Sequence, residues 1–489
     1  MITALRAEQQ IEAAHSAFTA SQDVAPEVRA SWLEAIAVAF EDHADELIAL
    51  AQSETHLGEH RLSGELRRTV FQLRLYISEI LAGENLDATI DHADGAWGMG
   101  PRPDIRRVNI PLGVVGVFGA SNFPFAFSVL GGDTASALAA GCAVVHKIHD
   151  GHPELGRRMG EVAIEALRTA GAPEHLLSTV TGRDAAEALV DHPLTRAVGF
   201  TGSTGGGRAL LDRIAARDRP IPFYGELGSI NPVFATERAW ALRGDEILTA
   251  YAQSFTMGMG QFCTKPGLLF APTDREQVAR VVGTQVAQGQ RTPLLSAKLR
   301  AGFDAALEKM CATDGIEVVV AGDSAESPAP TVLLTTAAFV RADPAILERE
   351  MFGPATLVIC YEPGEDLADL AALLDGQLTA SVQAQAEEDI DPLLAVLREK
   401  SGRVLWNEWP TGVTVSYAQH HGGPYPATTA ERTTSVGPAA IARFMRPVAF
   451  QGFPPAHLPL ALQDENPWRI SRRVDGHWQH HDHGAGSHS

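Results

Sequence analysis

Apolar residues recur at spacings of three and four through roughly the first eighty positions, as in Ser31-Trp-Leu-Glu-Ala-Ile-Ala-Val-Ala-Phe40, a period that predicts helices. Residues 95–111, with Gly, Pro and paired Arg, break the period and are read as irregular. The pattern then changes. Short β-rich runs at Val114 to Phe118, Ala143 to His146, Leu176 to Val180 and Ala197 to Phe200 alternate with helical stretches at Ser128 to Ala140, Pro153 to Thr169 and Asp184 to Val190. Strands alternating with helices in this way predict βαβ units and a parallel sheet, hence an α/β fold. A second alternating region runs from about Asn231 to Thr411, with strands expected at Gly267 to Ala271, Ile316 to Ala321, Ala355 to Cys360 and Val404 to Asn407. The end of the chain, rich in Pro and Gly, is read as an arm or a closing strand.

At 489 residues the chain exceeds the size at which one core stops growing, so two or three domains are expected. A formal net charge of −21 disfavours nucleic acid and anionic membranes as main partners, since both are polyanions. Four cysteines without a CxxC pair fit a reducing, cytoplasmic setting and leave their thiols free. The N-terminus has no apolar run of export type, and no stretch offers 18 uncharged apolar residues. His477, His480, His481, His483 and His488 sit among Gly, Ser and Asp and are read as a solvated tail; no metal site is expected.

Candidate chemistry centres on Cys263, in the glycine-rich Gly258-Met-Gly-Gln-Phe-Cys-Thr264, with Glu226-Leu-Gly-Ser229 upstream. Only a thiolate attacks, so a catalytic Cys needs surroundings that stabilise negative charge; a buried structural Cys is the alternative. Phe200-Thr-Gly-Ser-Thr-Gly-Gly-Gly-Arg208 follows a strand and opens a helix, a place where backbone N–H groups receive phosphates or where a turn is merely structural. Its spacing is not GxGxxG. Lys147 ends another strand with Asp150 three residues on, either a ribose-binding pair or two solvated charges. Asn122, among Phe118, Phe123, Phe125 and Phe127, is an oxyanion donor or a turn former. Glu350-Met-Phe-Gly-Pro354 positions a ligand or makes a turn.

Taken together, Asn122-Phe-Pro124, Lys147, Phe200-Thr-Gly-Ser203, Glu226-Leu-Gly228, Gly260-Gln-Phe-Cys263 and Glu350-Met-Phe-Gly-Pro354 resemble, in order and spacing, the aldehyde dehydrogenase superfamily. Trp406-Asn407 and His421-Gly-Gly-Pro424 extend the resemblance. Within it, Gly131-Gly-Asp-Thr-Ala-Ser-Ala-Leu-Ala-Ala-Gly141 and His421-Gly-Gly-Pro-Tyr-Pro-Ala-Thr-Thr429 are most similar to the α-ketoglutaric semialdehyde (2,5-dioxovalerate) dehydrogenases and to relatives acting on fatty aldehydes.

The resemblance implies a Rossmann-type cofactor domain over residues 1–230, with part of a small oligomerisation arm near 95–111. It also implies an α/β catalytic domain over 231–415, and a return segment, oligomerisation strand and tail over 416–489. It makes Cys263 the nucleophile, Asn122 the oxyanion donor and Glu226 the base that releases a free acid from a thioester. Lys147, Asp150, Gly202, Ser203, Glu350 and Phe352 become contacts of NAD or NADP. The relatives lean to NADP, whereas a carboxylate at Asp150 opposes a 2′-phosphate and leans to NAD. Phe123, Phe127 and Phe262 are expected to wall the substrate, and Arg74, which shares a helix with Arg68, to clamp its carboxylate. A homodimer or homotetramer oxidising α-ketoglutaric semialdehyde to 2-oxoglutarate is the expectation. Fatty or other semialdehyde oxidation, and a retired binding protein of the same fold, are the alternatives.

Overall fold

The computed structural model describes residues 2–289, 291–323 and 325–480. Four helices, Ile2–Ala20, Pro26–Asp42, Ala44–Thr55 and Glu59–Ala82, carry the early three-and-four period. Their apolar stripes, with Ile11, Leu33, Ile36, Phe40, Leu47, Leu62 and Leu73 inaccessible, pack into the core of the first sheet.

That first sheet has five parallel strands in the order Leu177–Val180, Ala143–Lys147, Val114–Phe118, Thr195–Thr201, Phe223–Glu226. The strands at 114, 143, 177 and 195 lie where the apolar runs place them. Phe223–Glu226, a short Phe-Tyr-Gly-Glu edge strand, carries too little periodicity to be read. The helix expected from Ser128 begins only at Gly132, after a turn at residues 128–131.

A second sheet has seven strands, ordered Glu317–Val320, Thr331–Thr336, Ala355–Cys360, Leu268–Ala271, Pro232–Ala235, Gln377–Gln383, Ser401–Trp406, parallel except for the first. A third, smaller sheet joins Met445–Gln451, Ile105–Pro111, Thr89–Asp91, Arg472–Val474 and His477–Gln479. Here the structure corrects two expectations. Ile105–Pro111, read as irregular, pairs along seven residues with Met445–Gln451, because a distant partner completes hydrogen bonds that its own sequence does not announce. His477 likewise lies in a strand rather than a solvated tail, and the His480 ring stacks on Trp478; His481, His483 and His488 lie outside the described residues. No helix among the described residues is long and apolar enough to cross a membrane.

Candidate active site

Strand register assembles one half of the site. Phe118 lies opposite both Lys147 and Phe200, and Thr201 opposite Glu226, so the turn carrying Asn122, then Lys147, Gly202, Ser203 and Glu226 leave one sheet at its carboxyl edge. Ligands of open α/β sheets bind along that edge. The second sheet supplies the other half. The Cys263 loop precedes Leu268–Ala271, and Glu350 and Phe352 precede the adjacent strand Ala355–Cys360.

The Cys263 loop is built from strained backbone. Gly258, Met259 and Gly260 all have positive φ, at 56°, 59° and 67°. A Cβ on Gly260 would stand 2.1 Å from the Gly353 carbonyl oxygen, so the loop closes on the Glu350 segment only with glycine there. Two buried side chains pin the turn. The Asn231 amide donates to the carbonyls of Cys263 at 2.8 Å and Lys265 at 2.9 Å. The Lys265 ammonium donates to the carbonyls of Met351 at 2.6 Å and Ala355 at 2.9 Å, tying the two loops together.

Around the thiol the structure brings together more than the sequence motifs promise. Cys263 Sγ lies 3.6 Å from His421 Nε2, which lies 2.9 Å from Glu226 Oε1. The Ser435 hydroxyl donates to Glu226 Oε2 at 2.9 Å, so both oxygens of this buried carboxylate have partners. His421 and Ser435 arrive on the return segment, which adds beside Phe223–Glu226: Thr429 N–H donates to the Gly225 carbonyl, and Leu227 N–H to that of Ala427. His421 appears in the sequence only as part of a glycine-proline segment, and Ser435 carries no signal. The ligand atoms of Glu226, Cys263 and His421 lie within 4.8 Å of one another, a spacing a divalent ion could also bridge.

Burial pushes the Cys263 thiol well above its ordinary range, and the Glu226 charge pushes it further; Arg403 opposes both. Burial also raises the Glu226 carboxyl, but the charge and hydrogen bond of His421 and the Ser435 hydroxyl outweigh it and leave Glu226 below its ordinary value. The resting site therefore pairs a protonated thiol with an ionised carboxylate.

Asn122 is buried, and its side-chain amide donates to the Gln261 carbonyl at 3.1 Å, two residues before Cys263. The second amide hydrogen remains for an oxyanion. Phe123, Phe127 and Phe262 come together, with Phe123 edge-on to Phe262 at 5.1 Å and to Phe127 at 5.6 Å between centroids. Phe127 is also 6.0 Å from the His421 ring. Arg74 does not join them. Its guanidinium forms exposed ion pairs with Glu34 and Glu41, 2.9 and 2.7 Å away, because its position on helix Glu59–Ala82 faces the neighbouring helix and not the aromatic wall.

The groups expected to hold a cofactor suit one. Ser203 caps helix Thr204–Ala215, accepting from Gly206 N–H, with Gly205 open beyond it. Lys147 already pairs with Asp150 at 2.6 Å, presenting a donor and an acceptor together. A cavity of about 350 Å³ is lined by Thr204, Arg208, Gly228 and Glu350. A Cβ on Gly228 would stand 2.7 Å from Glu350 Oε2, which keeps that passage narrow-walled but open.

Residues 1–444 match the family model described as the aldehyde dehydrogenase family. The chain is 42% identical over 478 residues to α-ketoglutaric semialdehyde dehydrogenase 2 of Azospirillum brasilense, covering 96% of this chain and 91% of that one. It is 39% identical over 481 residues to the α-ketoglutaric semialdehyde dehydrogenase of Acinetobacter baylyi, covering 96% and 90%. Among solved structures, proline utilization A of Bradyrhizobium japonicum superposes with a TM-score of 0.78 at 25% identity over 92% of this chain; the present chain spans only 45% of that longer protein. Aldehyde dehydrogenase C of Pseudomonas syringae has the same fold, with a TM-score of 0.76 at 20% identity, covering 93% and 90%. A half-buried cysteine in contact with a His–Glu pair, at the mouth of a sheet edge suited to a dinucleotide, thus belongs to a member of the aldehyde dehydrogenase family, an aldehyde-oxidising oxidoreductase that works with a nicotinamide cofactor.

Proposed function

We propose that this protein oxidises α-ketoglutaric semialdehyde to 2-oxoglutarate, through a thioester on Cys263 that is released by water. The observation that carries the release step is the His421 contact, which couples the Cys263 thiol to Glu226. The aldehyde is supported by two relatives of that name, each aligned along 96% of this chain.

The steps follow from the geometry. His421 Nε2 passes its proton to Glu226 Oε1 and accepts that of Sγ, so charge is conserved as the thiolate forms. Sγ attacks the carbonyl carbon, and the alkoxide is met by the free N–H of the Asn122 amide and the Cys263 backbone N–H. A nicotinamide cofactor held by Lys147, Ser203 and Glu350 would supply the hydride acceptor, and loss of hydride from the carbon bonded to Cys263 leaves a thioester there. Glu226, its proton returned to solvent, takes one from water; the hydroxide adds to the thioester, and Sγ leaves as the acid is freed. Each oxygen of Glu226 keeps a second acceptor site beside its bond to His421 or Ser435, and that capacity serves the water.

Lys147 and Asp150 are assigned to the adenosine ribose, Ser203 and Gly202 to the pyrophosphate, and Glu350 and Phe352 to the nicotinamide end. Either NAD or NADP is admitted. Asp150 disfavours a 2′-phosphate, but its charge is already matched by Lys147. Initial rates with both cofactors against α-ketoglutaric semialdehyde, succinic semialdehyde and a long-chain aldehyde test the assignment. The highest kcat/KM should fall on α-ketoglutaric semialdehyde. A folded protein that reduces neither cofactor with any of them would refute it.

A further inference from the structure

Helix Glu59–Ala82 turns a polar face toward the aromatic wall of the site, with Arg61, Glu65 and Arg68 spaced four and three residues apart. The Arg61 guanidinium lies over the rings of Phe262 and Phe123, 4.8 and 5.0 Å from their centroids. That of Arg68 lies 5.5 Å from the centroid of Phe127, the ring that in turn borders His421. Neither cation is satisfied. Arg68 spends Nε on the Val413 carbonyl at 3.1 Å, while its buried Nη1 and Nη2 have no hydrogen-bond partner. Arg61 donates Nη2 to the Asn122 carbonyl at 2.6 Å, and its buried Nη1 has none.

Glu65 lies between them in sequence but does not complete either. Its Oε1 accepts from the backbone N–H groups of Phe125 and Ala126, and its buried Oε2 has no hydrogen-bond partner, so its charge acts on Arg61 and Arg68 without a hydrogen bond to either. On this face of the helix two guanidinium groups stand against one carboxylate, and the Glu226 charge that also acts on Arg68 is already held by His421 and Ser435. Buried donors of this kind are costly unless an anion or ordered water meets them. An alkyl chain laid along this wall would cover charged N–H groups without pairing them. A planar carboxylate would pair with the fork and let the rings flank the carbon chain.

We infer that Arg68, with Arg61 beside it, forms the subsite that receives the carboxylate at the far end of a short aldehyde substrate while its aldehyde carbon stands at Cys263. This rests on the function proposed above, and it places specificity on a different face of the helix from Arg74. It also decides between that function and fatty-aldehyde oxidation, because an unpaired buried fork penalises a long apolar tail.

The test compares α-ketoglutaric semialdehyde with pentanal, a neutral aldehyde of the same five-carbon length, in the full-length wild type and in Arg68→Met and Arg68→Lys. The wild type should prefer the charged aldehyde. Arg68→Met should lower the ratio of the two kcat/KM values about 10²-fold, chiefly through KM of the charged aldehyde, and Arg68→Lys should restore part of it. Equal losses on both aldehydes would make Arg68 a merely structural residue and overturn the inference. In the unaltered protein, 2-oxoglutarate should also slow alkylation of Cys263 at concentrations where uncharged pentanamide does not; equal protection by the two would overturn it as well, whether or not Arg68→Met folds. A wild type that oxidises pentanal as efficiently as the charged aldehyde leaves the dehydrogenase reading standing and removes only this subsite. A wild type that oxidises no aldehyde removes both.

Discussion

At the residue scale, the state of Cys263 is decided by two opposed influences on one small cluster. Burial and the neighbouring Glu226 charge hold the thiol protonated, while His421 and Ser435 keep Glu226 ionised. Since only the thiolate alkylates, the rate at which iodoacetamide modifies the Cys263 peptide should keep climbing as pH rises past the ordinary thiol range. In Glu226→Gln the second cause of the shift is gone, so the same profile should move to lower pH; a profile that stays in place would mean that the carboxylate does not govern the thiol. Much of this cluster was legible in the sequence, because Cys263, Glu226 and Asn122 stand in motifs whose order and spacing together resemble one family, although each segment alone left a structural alternative open. His421 and Ser435 were not assigned roles, since their contact with Glu226 depends on a segment some two hundred residues away folding back beside Phe223–Glu226. Arg74 was misplaced for a related reason. Helical spacing puts Arg68 and Arg74 on one helix, but only the packing of neighbouring helices shows which of them faces the rings.

At the scale of elements, four of the five strands of the first sheet were readable because each holds a short apolar or β-branched stretch set among helical segments, Val114–Phe118 most clearly. Gln377–Gln383 escaped for the opposite reason. Its sequence, Gln-Leu-Thr-Ala-Ser-Val-Gln, alternates polar residues through a strand that is buried throughout. Those polar groups have work in the interior. Gln377 Oε1 accepts from the N–H groups of Ile230 and Asn231, and Thr379 donates to Asn231 Oδ1. Asn231, itself in the left-handed region at φ 57°, passes this support to the Cys263 loop. Asn231→Ala removes donors and acceptors from a sealed pocket, so it should cost about 2–4 kcal/mol, at roughly 1–3 kcal/mol for each polar group left unpaired. Thermal unfolding should show a lowered Tm, with kcat falling further than KM rises because the nucleophile loses its aim. An unchanged Tm would show that the loop holds its shape without this residue.

For the whole molecule, chemistry arises where two sheets meet: the carboxyl edge of one carries Asn122, Lys147, Ser203 and Glu226, and the amino ends of two strands in the other carry Cys263 and Glu350. The hydrophobic pattern disclosed both alternating regions but not their mutual placement, which follows from tertiary packing and from the return segment that brings His421 to the thiol. The central claim is that an acyl group passes through Cys263 and is released by Glu226. Rapid mixing of Glu226→Gln with α-ketoglutaric semialdehyde and cofactor, followed by acid quench and mass analysis of the Cys263 peptide, tests it most directly. A burst of reduced cofactor no larger than one per active site, followed by a stall with the acyl group retained on Cys263, is the predicted result; continued turnover, or an unmodified Cys263 peptide after the burst, would contradict it.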